Sequence, residues 1–139
     1  MNFENTIEAK WTEQIIGHGF TAVPNLLIEY RSSLGLSVTD FYVLVAIEKF
    51  RWDNIQKPWP SLKALAQLTG LSERTVGRST RNLEDLGLII KIHRTGTSNL
   101  YDLEPLVDEL DYVARRLTEV TIPNDTRVQP VRSDTTNNL

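Results

Sequence analysis

The sequence predicts a mainly α fold with a small β-hairpin, an α+β domain. Three observations predict it. Two stretches of helical periodicity begin at Ser61 and Ser72, and each ends on a glycine, Gly70 and Gly87. A β-branched run from Leu88 to Arg94 follows the second glycine. The turn-forming stretch Thr95–Asn99 then separates it from Leu100–Leu103, which reads as a returning strand. At 139 residues the chain has room for one such domain with short appendages.

Each element follows from local chemistry. Residues 1–19 set Trp11, Ile15 and Ile16 among polar neighbours and read as a short helix or a loosely docked arm. Pro24 suits the first turn of a helix, where its missing N–H costs nothing, so a short helix is expected over 24–33 and should end near Gly35. Ser37 with Asp40 three residues later is an N-cap with a variant capping box. The run Phe41 to Ile47 behind it is apolar nearly all round and belongs at the centre of the domain. Lys57, Pro58, Trp59 and Pro60 make a stiff connection, with Trp52 and Trp59 expected as lids on the core.

Ser61 caps the next helix, whose Leu62, Leu65, Ala66 and Thr69 share a face. Gly70 stops it, being the residue best able to adopt positive φ. After Leu71, Ser72 caps a further helix with Val76, Thr80, Leu83 and Leu86 on its apolar side. Leu103, Leu106, Val107, Leu110, Ala114 and Leu117 form an apolar stripe on a last helix opened by Pro105. The organisation expected is therefore an arm and lead-in helix over 1–36, the helix–helix–hairpin domain over 37–104, an amphipathic helix over 105–119 and a flexible tail over 120–139.

Composition excludes several function classes. There is no cysteine, so disulfides, thiolate metal sites and cysteine nucleophiles are ruled out. No apolar run approaches a membrane span, and the polar, acidic start MNFENTIEAK is unlike a secretory signal, so a cytoplasmic protein is expected. The two histidines, His18 and His93, lie far apart, and no P-loop, dinucleotide glycine pattern or nucleophile elbow is present. Neither an enzyme nor a cofactor or metal is expected.

The net charge of −3 would argue against nucleic acid, but it is unevenly spread. Residues 61–101 carry six basic against three acidic residues, while the flanks on both sides are acidic. Screening confines the effect of charge to about 10 Å at 0.1 M salt, so the local excess is what a partner would meet.

The segment WPSLKALAQLTGLSERTVGRSTRNLEDLGLI, followed by a hairpin and Tyr101, resembles the winged helix-turn-helix of bacterial DNA-binding proteins. It is similar to the modules of plasmid and phage replication initiators and replisome organisers, and GntR-type regulators share its pattern. The resemblance covers residues 37–104, and the lead-in from Phe20 to Leu36 resembles the replication-type members. It implies binding to double-stranded DNA, in replication initiation or transcriptional regulation, and contact with the corresponding machinery.

The residues support that reading on their own terms. On the helix from Ser72, Arg74, Arg78 and Arg81 lie opposite Val76, Thr80 and Leu83, with Thr75 and Asn82 on one flank. Arginine reads guanine and asparagine reads adenine in the major groove. Arg74, Thr75, Arg78, Ser79 and Asn82 are the expected groove contacts, with Arg81 as a phosphate contact. On the hairpin, Lys91, Arg94, Thr97 and Ser98 are expected at backbone phosphate or the minor groove. Gly77 would let the helix backbone approach closely, at a cost of about 1 kcal/mol in helix propensity.

Two alternatives stand beside this. The stripe Leu106, Val107, Leu110, Ala114 and Leu117 either packs on its own domain or forms the seam of a homodimer, as two-fold readers of DNA often need. The whole module could instead serve protein–protein contact, with weak or no sequence-specific DNA binding.

Overall fold

A computed structural model describes residues 3–51 and 56–120. Six helices and one hairpin follow in order: α1 Phe3–Gly17, α2 Asn25–Glu29, α3 Val38–Lys49, α4 Leu62–Thr69, α5 Glu73–Asp85, β1 Ile90–Ile92, β2 Leu100–Asp102 and α6 Glu104–Val120. This is the mainly α fold with a small antiparallel hairpin that the pattern predicts. The expected tail falls outside the described residues apart from Val120, and so does Trp52.

Three serines start three helices in the same way. Ser37, Ser61 and Ser72 each accept, at Oγ, a hydrogen bond from the backbone N–H three residues on, at Asp40, Ala64 and Thr75, over 3.0, 2.9 and 3.1 Å. Each hydroxyl satisfies one of the donors a helix N-terminus leaves open. Gly70, at φ 76°, closes α4 in the left-handed conformation and donates its N–H to the Ala66 carbonyl. The turn between α4 and α5 is thereby held tight.

The core forms where these helices cross. Val43, Leu44, Ala46 and Ile47 of α3 are buried against Leu65 of α4 and Val76 and Leu83 of α5. The centrality expected of α3 holds for that face, while Val38 and Tyr42 look outward. Leu88 and Ile89, just before β1, also join the core. The strand is therefore shorter than the β-branched run that predicts it. Helix α2 is likewise shorter than expected, and the chain turns through residues 30–35 to Gly35, at φ 84°.

Helix α6 packs back onto the domain. Leu103, Leu106 and Leu110 are core residues, so the first half of the stripe is buried in its own chain. Leu106 and Leu110 are therefore not available as a dimer seam. Val107 is 38% exposed, and Ala114 and Leu117 are half-buried. Arg51 joins the end of α3 to the start of α6, reaching Glu48 at 3.5 Å and Glu104 at 3.7 Å. Burial beside this cluster raises the Glu48 pKa, against the pull of Arg51.

Trp59 departs from expectation. It is 43% exposed, while Pro58 and Pro60 on either side of it are buried. The Pro58 carbonyl accepts a hydrogen bond from the Tyr101 N–H over 2.9 Å, which lays this connection along β2. Helix α1 is broken at Thr12, at φ 70° and ψ 154°, and leaves Trp11 and Ile15 exposed. Among the described residues no helix is long and apolar enough to cross a membrane, and no cluster of metal-ligating side chains occurs.

Candidate nucleic-acid interface

Helix α5 divides its side chains cleanly. Val76, Thr80 and Leu83 are wholly buried and hold the helix on α3 and α4. Arg74, Arg78, Arg81 and Asn82 are exposed on the other side. None of the three arginines forms an ion pair among the described residues. Three guanidinium groups with no carboxylate partner among the described residues make a local positive surface. Asp85, exposed in the last turn of the same face, marks its end.

Thr75 is half-buried, and its hydroxyl accepts from Ser72 Oγ over 3.0 Å. It belongs to the cap as much as to the outer flank. Ser79 corrects the expectation outright. It is 2% exposed, so it faces the core and cannot contact a groove. Its position three residues after Val76 and four before Leu83 puts it on the inner side by helical spacing alone. Gly77 is not needed for packing: a Cβ there would meet only Leu62 Cδ1, at 3.8 Å, an ordinary contact.

The hairpin pairs Ile90 with Asp102, Lys91 with Tyr101 and Ile92 with Leu100. Successive side chains alternate between faces. Here it is the lysine that points in, while Ile90 is 51% exposed. Lys91 Nζ lies 3.3 Å from Glu84 Oε1 of α5, with only 11% of the lysine side chain exposed. The expectation that Lys91 touches phosphate is therefore withdrawn, because its charge is spent within the chain. Beside it, burial raises the Tyr101 hydroxyl pKa, and the Glu84 carboxylate adds to the effect.

Arg94 is half-buried and donates from Nε to the Ser98 carbonyl over 2.8 Å, closing the turn. Gly96, at φ 75°, supplies the left-handed residue the turn needs. Thr95 and Thr97 are exposed at the tip, Ser98 and Asn99 are half-buried, and His93 is exposed.

Two helices joined by a tight turn, the second with a cationic outer face and followed by a hairpin, find a counterpart in sequence. Residues 34–89 match the family model described as a helix-turn-helix domain. In fold, this segment is a helix-turn-helix. With the hairpin that follows, the fold is a winged helix-turn-helix. The same fold occurs in the N-terminal domain of the DnaD protein from Geobacillus kaustophilus HTA426, at 23% identity and a TM-score of 0.56, covering 86% of this chain and 96% of that one. Transcriptional regulator PA3341 aligns at 20% identity and a TM-score of 0.43, over 98% and 94% of the two chains. The multiple antibiotic-resistance repressor MarR from Listeria monocytogenes 4b F2365 aligns at 18% and 0.42, over 99% and 92%. Among curated proteins none matches the sequence.

Within the helix-turn-helix, α4 is the first helix, residues 70–72 are the turn, and α5 is the second helix. The wing is β1, β2 and the residues between them.

Proposed function

We propose that this protein binds double-stranded DNA sequence-specifically, with α5 in the major groove and the wing tip against the backbone. The observation that carries the reading is the outer face of α5, where Arg74, Arg78 and Arg81 are exposed and unpaired among the described residues and Asn82 stands beside them. Arg74, Arg78 and Asn82 are the candidates for base edges, where a bidentate contact discriminates by about 1–3 kcal/mol. Arg81 and the Thr95–Thr97 tip suit phosphate, which fixes register. The acidic surroundings oppose indiscriminate attachment, so affinity depends on fit to the site more than on bulk charge.

The role that the sequence resemblance supports is replication initiation of a plasmid or phage, or control of transcription. The replication reading draws on the lead-in from Phe20 to Leu36. Selection of bound duplexes from a random pool tests the function directly. A defined consensus supports it, and a pool that never converges refutes sequence-specific binding. A palindromic consensus would indicate a two-fold dimer, and any seam on α6 would draw on Val107 and Ala114 rather than on the buried Leu106 and Leu110.

A further inference from the structure

Lysine is an unexpected residue for the inner face of a short strand. Lys91 lies cross-strand from Tyr101, which is 1% exposed, and its own side chain is 11% exposed. An apolar side chain of similar length would fill this space without the cost of withdrawing a charge from water. The ammonium group meets Glu84, and Glu84 stands in the last full turn of the helix that carries the arginines. One ion pair thus links the two parts of the molecule that would touch DNA. At the other end of the hairpin, Arg94 fastens the turn to itself through the Ser98 carbonyl.

We propose that the Glu84–Lys91 pair is a pin that sets the position of the wing relative to α5, making Lys91 and Glu84 positioning residues for DNA recognition rather than contacts. The proposal rests on the DNA-binding reading above. A strand pair of three residues a side has little ladder of its own to fix its tilt. The ion pair supplies the missing constraint, and the closed turn carries it to the tip. The wing then reaches the backbone at a fixed distance from the groove contacts of α5, without ordering cost on binding.

The test uses the full chain and a duplex obtained by selection. Lys91→Met keeps the apolar stem and removes the charge. Hydroxyl-radical footprinting should show loss of backbone protection on the wing side, while methylation protection of guanine N7 under α5 persists. Affinity should fall about tenfold, a typical size for a coupled pair. The swapped variant, Glu84→Lys with Lys91→Glu, should restore both the footprint and the affinity. Glu84→Gln provides a second route if Lys91→Met lowers the melting temperature, since Glu84 is the more exposed partner. A variant that keeps the full footprint and binds within about twofold of wild type overturns the proposal. So does equal loss of both protections in a folded variant, because Lys91 would then act on the whole interface. Absence of any protection in the wild-type protein is a separate outcome, which overturns the DNA-binding reading before the pin is tested.

Discussion

Helix α5 and the wing both carry cations, and they use them differently. The three arginines of α5 are exposed and unpaired among the described residues, while Lys91 and Arg94 of the wing are committed to Glu84 and to the Ser98 carbonyl. The helix is anchored by apolar side chains and is free to spend its charges on a ligand. The wing is anchored by Tyr101 and by Leu88, Ile89 and Leu103 at the strand ends, and its cations add a further tie to α5 and across the turn. A count of basic residues treats the two regions alike, whereas their partners separate reading from holding.

The largest effect should come from the side of α5 that does the anchoring. Leu83→Ala removes a wholly buried side chain and should cost about 2–5 kcal/mol, measured by urea denaturation. If the loss is small, α5 is not held as described. Next comes the outer face: Arg78→Ala should leave stability unchanged and weaken binding to a selected duplex by about 1–3 kcal/mol, with relaxed base preference. Arg94→Ala should loosen the wing turn and weaken binding evenly across sequences, with base preference unchanged. Ser79→Ala should leave affinity as it was. If Arg78 and Arg94 behave alike, the division between helix and wing is wrong.

Gly77→Ala should stabilise the fold by up to about 1 kcal/mol, since the helix gains propensity and the new Cβ meets only Leu62. A drop in DNA affinity in that more stable variant would show that the bare backbone is needed at the groove. The smallest effect concerns the wing alone. The Tyr101 hydroxyl titrates above its ordinary value of about 10, so its contribution is present below that pH and is lost as pH rises through the folded value. Urea midpoints should therefore fall in strongly alkaline buffer, and Tyr101→Phe should shrink the fall.

Much of the architecture was legible because it rests on local rules. Ser37, Ser61 and Ser72 cap as their positions suggest, and Gly70 stops α4 where the periodicity ends. Ser79 was also legible, since its spacing from Val76 and Leu83 places it inward. Its hydroxyl suggests a polar contact and misleads. Lys91 was not legible. Ile90 and Ile92 look like the inward pair, and only the burial of Leu88 and Ile89 together with Glu84 waiting on α5 reverses the alternation. That is a long-range fact that no window of the sequence contains. Trp59 fails in the same way, because the two prolines beside it take the buried positions.

The Pro58–Trp59–Pro60 connection has a bearing on how the protein behaves at high concentration. A two-stranded hairpin offers open edges, and such an edge is a template on which another chain can add a strand. Along β2 that place is taken by Pro58, which accepts from Tyr101. Prolines have no N–H to offer onward, so this segment cannot extend the ladder at residues 58 and 60. The stiff linker between two helices thus blocks strand addition at the middle of the β2 edge.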